Sequence, residues 1–450
     1  MLRLFDSASG TVRELALRDP GRCSMYVCGP TVYDFPHLGH GRYALVFDVL
    51  RRYLEFSGLE VDFVSNITDV DDKIIERAAR EGKTEAELAY EYEVAWWEAM
   101  DALGVKRPTS TPHATAYVDG MVDLITRLMD SGKAYATSDG VYLDISTVDG
   151  YGLLAGQPLE DLRAGARIEA NEEKHSPLDF ALWKLAKEGE PAWEAPFGRG
   201  RPGWHTECVV MSLDLLGEGF DLHGGGMDLK FPHHENERAQ AVAEGKAFAR
   251  HWAHNGWVVV EGEKMSKSLG NFTSLTDLLA KADARAYRLL VLRSHYRSPI
   301  EVTTDTIADA ERGLARLDSF ARRFGDVGDG PFDDAAVEAF TAAMDNDLDA
   351  PKALAGAFDL VGRANTAADG GDASAETLAR TARYLLAALG IDLPSAADEE
   401  LDEATAELMA QRDAARAAKD FASADALRTQ LEAAGWVVED SVEGTKVRKA

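Results

Sequence analysis

The sequence predicts an α/β protein: a Rossmann-like parallel sheet split by an insertion, then an α-helical bundle and a small C-terminal domain. Three observations predict it. Apolar strand, Gly-Pro turn, amphipathic helix and strand follow one another within residues 24–67, the order of a βαβ unit. A second α/β stretch resumes at residues 204–260, after an irregular Gly/Pro-rich interval at residues 116–201. Beyond residue 273 the apolar spacing is helical almost to the end.

Taken in order, Ser24-Met25-Tyr26-Val27-Cys28 reads as a short buried strand, and residues 39–58 as a helix whose apolar face is Leu45, Val46, Val49, Leu50 and Leu54. Residues 60–67 are the next strand. In parallel sheets of this kind ligands bind beyond the carboxyl ends of the strands, which directs attention to Cys28 and the turn after it. Residues 116–201 combine a helix with short strands such as Gly140-Val141-Tyr142-Leu143 and read as an insertion between the halves of the sheet. Residues 251–260 are expected as one strand ending in Trp257-Val258-Val259-Val260. Loops at residues 325–331 and 367–373 punctuate the helical region. Helices at 403–418 and 421–434 lead into the strand Gly435-Trp436-Val437-Val438-Glu439-Asp440. The expected domains are therefore 1–115 and 202–305 (the two halves of the sheet domain), 116–201 (the insertion), 306–393 (the bundle) and 398–450 (the terminal domain).

Composition narrows the class of protein. At 450 residues the chain exceeds one compact core. No run approaches the roughly 20 apolar residues needed to span a bilayer. The first residues lack a basic segment followed by a long apolar one, so a cytoplasmic address is expected. The three cysteines, Cys23, Cys28 and Cys208, cannot all pair, which leaves buried thiols or metal ligands. A formal charge of −29 opposes sequence-blind binding to nucleic acid but leaves room for local Lys and Arg contacts.

Three constellations carry chemistry. Pro36-His37-Leu38-Gly39-His40 stands between a strand and a helix start, where free N–H groups and the positive dipole end suit a phosphate. Two imidazoles there can stabilise charge developing on a phosphate in flight, although a capping residue beside a surface residue gives the same pattern. Lys264-Met265-Ser266-Lys267-Ser268 places two lysines on one loop, able to clamp a triphosphate and follow pyrophosphate as it leaves. The two motifs together resemble the paired signatures of class I aminoacyl-tRNA synthetases. The third constellation is Cys28, Cys208, His233 and Glu237. His233 and Glu237, four apart, share a face of a helix starting near Pro232, and two thiolates, an imidazole and a carboxylate make a zinc shell. His234 is the rival imidazole and would point about 100° away on that helix. Cys23, in a plain apolar setting, reads as structural.

Cys28-Gly29-Pro30-Thr31-Val32-Tyr33-Asp34, Asn66-Ile67-Thr68-Asp69-Val70-Asp71-Asp72-Lys73, Gly203-Trp204-His205-Thr206-Glu207-Cys208, His223-Gly224-Gly225-Gly226 and residues 231–237 resemble the signature runs of cysteinyl-tRNA synthetases. Pro177-Leu178-Asp179-Phe180-Ala181-Leu182-Trp183-Lys184 and Ala343-Met344-Asp345-Asn346-Asp347 extend the resemblance over nearly the whole chain. It implies ATP-dependent activation of L-cysteine to cysteinyl-adenylate and transfer to the 3′ end of tRNA(Cys), by a monomer. It also implies one Zn2+ on Cys28, Cys208, His233 and Glu237 that takes the substrate thiolate, and Mg2+ accompanying ATP. Nucleotide contacts fall to His37, Gly39, His40, Lys264 and Lys267. Thr68, Trp204 and Asp228 are candidates to line the amino-acid pocket, and His205, His223 and His234 are candidates to orient the zinc ligands. The bundle and terminal domain would meet the tRNA, with Arg412, Arg416, Lys419 and Arg428 available to phosphates. Two departures stand out: Leu38 where the family often has Ile, and Val447 where relatives commonly place Trp, which puts a stacking contact in question. The nearest alternative is a ligase joining cysteine to an amino-sugar, as in mycothiol synthesis; it lacks a terminal module like residues 412–448.

Overall fold

The computed structural model describes residues 1–156, 173–259, 274–325, 327–393, 403–441 and 444–449. It divides into two compact units: Met1–Arg316 with Gly330–Asp392, and Leu317–Asp329 with Leu393–Ala450.

In the first unit, four parallel strands lie in the order His251–Asn255, Leu222–Gly226, Arg22–Val27, Glu60–Val64. Arg22–Val27 is buried after its first residue, as a central strand covered on both faces must be. The helix Leu38–Phe56 crosses from it to Glu60–Val64 and completes the βαβ unit. All five residues expected on its apolar face are buried. Helices Trp204–Leu216 and Glu235–Ala243 flank the strand Leu222–Gly226 in sequence.

Among its described residues the insertion holds a helix, Val118–Asp130, and an antiparallel sheet in the order Ala134–Ala136, Gly140–Leu143, Phe180–Leu185, Gly200–Pro202. Trp183, fully buried, anchors it.

The stretch expected as one strand at 251–260 is two elements. His251–Asn255 belongs to the parallel sheet, whereas Val258–Val259 pairs with Ile300–Glu301. The break falls at Gly256, whose N–H donates to the Tyr296 carbonyl at 2.8 Å. A Cβ there would lie 2.5 Å and 2.7 Å from the carbonyl oxygens of Arg297 and Ser298, so only glycine passes. The strand at residues 60–67 ends at Val64 for a related reason: Ser65 and Ile67 turn to hydrogen-bond Ser110 and Pro112.

The helices Asp334–Met344, Ala350–Asp369 and Ala375–Ala388 lie in the same unit as the sheet. Arg288 and Asp48, both buried, pair at 2.6 Å, and Arg288 also donates to the carbonyls of Leu103 and Gly104. Tyr53 on the first long helix donates to Asp345 at 2.8 Å.

The second unit holds the helices Glu403–Ala417 and Phe421–Ala433 and an antiparallel hairpin, Trp436–Ser441 with Gly444–Lys449. The second strand escapes a sequence reading because Val447 is its one strongly apolar residue. Val447 is buried against Leu431, Trp436 and Val438, so it is core rather than an exposed stacking platform. Arg412 is buried as well and donates to Thr445 Oγ1 at 2.7 Å, which removes it from the side chains open to a phosphate.

Candidate functional site

Cys28 directly follows the strand Arg22–Val27, and Cys208 stands in the second turn of the helix Trp204–Leu216. His233 and Glu237 bracket the start of the helix Glu235–Ala243. All four are nearly inaccessible, at 0–4% exposure. Their donor atoms lie within 4.8 Å of one another. Cys28 Sγ is 3.6 Å from Cys208 Sγ and 3.5 Å from Glu237 Oε1, while His233 Nε2 is 3.7 Å from Cys208 Sγ and 2.9 Å from Glu237 Oε1.

The outer atoms of these ligands are held in turn. His205 Nδ1 is 2.8 Å from His233 Nδ1, which leaves His233 Nε2 facing the cluster, and His223 Nε2 is 2.6 Å from Glu237 Oε2. Trp204 stacks on the His233 ring at 3.9 Å. Asn66 Oδ1 accepts from Tyr26 Oη and from the Gly29 N–H, and lies 3.8 Å from Cys208 Sγ. A Cβ at Gly29 would sit 1.6 Å from the Asn66 carbonyl oxygen, so the close crossing of these loops requires glycine.

Electrostatics follow the packing. Burial pushes the Cys28 thiol well above its usual range, and its hydrogen bond to Cys208 adds to the rise. Burial acts the same way on Cys208, but the hydrogen bond received from Cys28 and the contact with His233 outweigh it and bring that thiol down to about 6. Burial opposes ionisation of Glu237 too, yet His223 and His233 hold it well below the usual carboxylate range. One thiolate and one carboxylate, beside a His233 that gives up its proton on coordination, suit a divalent cation of borderline softness, and the donor set fits zinc.

A second group shares two of these donors. Cys28, His223, His234 and Glu237 also lie within 4.8 Å of one another. The helix expected to start near Pro232 begins regularly only at Glu235, and Phe231 is extended (φ −145°, ψ 132°), so His234 is not turned away from the donors. His234 Nδ1 is 2.9 Å from His254 Nε2, and its ring lies 4.3 Å from that of His223.

The nucleotide motif caps the helix Leu38–Phe56 in both directions. His37 Nδ1 accepts from the His40 N–H and His40 Nδ1 from the His37 N–H, each at 3.2 Å, and the rings stack at 3.6 Å. With each Nδ1 an acceptor, each neutral ring carries its proton on Nε2, outside the capping bonds. Burial lowers His40 to about 3 and lowers His37 against the opposing pull of Asp228, so both rings are neutral near pH 7. Lys264 and Lys267 lie outside the described residues.

Residues 15–312 match the family model described as tRNA synthetases class I (C) catalytic domain. Residues 339–393 match the DALR domain, and residues 398–448 the Cysteinyl-tRNA ligase anticodon binding domain. A curated relative from Halorhodospira halophila, named Cysteine--tRNA ligase, is 48% identical over 463 aligned positions covering 100% of both chains. The chain belongs to the cysteinyl-tRNA synthetase family. A relative of the same name from Thioalkalivibrio sulfidiphilus is 46% identical, again over 100% of each chain. Among solved structures, a Mycobacterium tuberculosis methionyl-tRNA synthetase in complex with methionyl-adenylate is similar at TM-score 0.60 and 16% identity, covering 82% of this chain and 90% of that one. At that identity the likeness carries the fold: the class I α/β catalytic body.

Seen as a member of the cysteinyl-tRNA synthetase family, the chain brings together Cys28, Cys208, His233, Glu237 and Trp204 in one wall. Thr68 is buried beside them and donates to Glu207 Oε2 at 2.8 Å. Asp228 is exposed in the turn after Leu222–Gly226 and close enough to act on His37. Sequence reasoning gave no role to Asn66 or Glu207, two polar residues buried beside Cys208. The available signal was their position inside the quoted signature runs.

Proposed function

We propose that the chain is a cysteine–tRNA ligase that activates L-cysteine with ATP and transfers it to tRNA(Cys). The observation that carries this is the end-to-end match at 48% identity to a relative of that name. The amino-sugar ligase alternative is set aside, because residues 398–448 match an anticodon binding domain.

Residues 1–115 and 202–305 act as the catalytic body around the insertion 116–201, and residues 306–393 and 398–450 engage the tRNA. The substrate carboxylate attacks the α-phosphate of ATP, and pyrophosphate leaves. His37 and His40 present Nε2–H donors to the phosphate oxygens at a helix N-terminus, with Gly39 allowing close approach. Lys264 and Lys267 hold the β- and γ-phosphates, with Mg2+ bound chiefly by the phosphates. A terminal ribose hydroxyl of the tRNA then attacks the adenylate carbonyl, forming the ester as the acyl–phosphate bond breaks and AMP leaves. Neither step needs a protein nucleophile; positioning and charge stabilisation suffice.

Cys28, Cys208, His233 and Glu237 would hold zinc. Bound there, the metal supplies a soft Lewis acid for the substrate sulfur, a preference a serine hydroxyl cannot match. Trp204 and Thr68 line the pocket, Asp228 meets the substrate ammonium, and His205 and His223 fix the ligand orientations. The reading includes a cytoplasmic monomer; no helix among the described residues is long and apolar enough to cross a membrane.

ATP–pyrophosphate exchange with cysteine and with serine, without tRNA, tests the proposal, followed by transfer to tRNA(Cys) or to an amino-sugar. Exchange that prefers cysteine by more than about 10²-fold, beyond what shape alone gives, is expected, together with transfer to tRNA. Exchange indifferent to the amino acid, or transfer to the sugar alone, would refute it.

A further inference from the structure

Asp72, Lys184 and Arg201 have no part in the chemistry above, yet they join three segments of the first unit. Asp72 opens the helix Asp72–Glu81, Lys184 lies on the strand Phe180–Leu185, and Arg201 on the strand Gly200–Pro202. Asp72 Oδ2 accepts from Lys184 Nζ at 2.7 Å, and Asp72 Oδ1 accepts from Arg201. Arg201 is 7% exposed and also faces Glu190 at 3.6 Å. One carboxylate thus ties the catalytic body to two strands of the insertion sheet.

Those two strands support the wall of the cysteine pocket. Gly203 follows Arg201 by two residues and caps the helix Trp204–Leu216. Its N–H donates to the Leu182 carbonyl at 2.8 Å, and a Cβ there would lie 2.0 Å from the Ala181 carbonyl oxygen, so the helix start is pressed directly onto the strand. Phe180 meets the His205 ring edge-on at 5.5 Å. From that start project Trp204, stacked on His233, then His205, bonded to His233, then Cys208 one turn on.

We infer that Asp72 is a positioning residue for cysteine selection: its bridge to Arg201 and Lys184 holds the insertion sheet, and through it the Trp204–His205–Cys208 face of the pocket, in register with the catalytic body. The inference rests on the cysteine-activating function proposed above. Asp72 bonds the strands behind the amino-acid wall, whereas only its neighbour Lys73 acts on His40, so loss of the bridge should fall first on cysteine and less on ATP. The Asp72 side chain is 45% exposed, so breaking the bridge leaves global folding largely intact and registers as displaced geometry.

The test uses the full-length protein with Asp72→Ala, Asp72→Asn and Asp72→Glu, measured by ATP–pyrophosphate exchange. For Asp72→Ala the KM for cysteine should rise about tenfold while kcat and the KM for ATP stay within about twofold, the signature of lost ground-state positioning. Discrimination against serine should fall in parallel, and Asp72→Glu should recover most of the loss. Bound metal and melting temperature, measured alongside, should match the unmodified protein. Cysteine-dependent exchange whose KM is untouched by Asp72→Ala overturns the inference alone, as does an equal loss toward ATP and cysteine. Absence of cysteine-dependent exchange in the unmodified protein overturns the functional reading and this inference with it.

Discussion

Replacing Cys208 with serine separates the two overlapping donor groups, because Cys28 and Glu237 belong to both while Cys208 and His233 belong to one. A buried hydroxyl at this position still finds Asn66 Oδ1 and His233 Nε2, whose distances to the present sulfur are 3.8 Å and 3.7 Å. The fold should therefore lose only about 1 kcal/mol. Metal binding should suffer far more. A four-donor zinc shell is worth about 10–16 kcal/mol in all, so one donor accounts for about 3 kcal/mol, or roughly two decades in dissociation constant. Chelator competition with metal counting measures this directly, with His234→Asn as the companion variant. Cys208→Ser should weaken zinc about 10²-fold and His234→Asn by no more than about tenfold. The reverse pattern, with Cys208→Ser neutral and His234→Asn losing the metal, would refute the assignment and move the ion to the Cys28, His223, His234, Glu237 group.

Two further outcomes are expected. His40→Gln keeps a side chain that reaches back to the helix N-cap but removes the imidazole, so the exchange rate should fall about 10²-fold with the melting temperature almost unchanged; a fall in both together would mean that His40 only caps. Stability should decline on mild acidification: burial lowers His251 to about 4 and His254 to about 3, so the native state binds fewer protons than the unfolded chain below about pH 6.5, and the stability present above that pH is lost as pH falls. These two groups contribute about 3 kcal/mol of loss between pH 7.5 and 5.5, of which His233 offsets about half, readable in urea midpoints, and a flat profile would refute the burial argument. His233 runs the other way, raised to about 10 by Glu237 against its burial, so its contribution is complete below about pH 6.5 and fades only as pH rises.

What the sequence makes legible here is local pattern and ligand chemistry. The βαβ unit follows from period and turn residues, and Cys28, Cys208, His233 and Glu237 stand out because soft donors are rare and each sits in an unusual run. What it conceals is decided by chain segments far away in sequence. Gly256 ends a strand because the carbonyls of Arg297 and Ser298 crowd it, some 40 residues downstream. His234 joins the cluster because the chain is extended at Phe231, which no helical wheel anticipates. Asp72, Lys184 and Arg201 lie in three separate runs, and nothing in their spacing announces a shared carboxylate. Polar contacts across an insertion have no periodicity to read.

Capping and chemistry at the His37–His40 motif are commonly weighed as rival readings, yet the geometry makes the first a condition of the second. A free imidazole exchanges its proton between Nδ1 and Nε2, and only the Nε2–H tautomer offers a donor away from the backbone. The reciprocal cap removes that choice, since each Nδ1 accepts a backbone N–H at 3.2 Å. Stacking at 3.6 Å then fixes both rings nearly parallel, so two neutral donors are held in place before any phosphate arrives. Protonating either ring at Nδ1 would break its capping bond; burial opposes that in both rings and brings His40 down to about 3. A site that stabilises charge by preorganised donors gains most when they need no reorganisation. Here the same two hydrogen bonds that begin the helix Leu38–Phe56 supply that order, which is why a histidine pair at spacing three serves where a capping serine and glutamate would leave no outward donor.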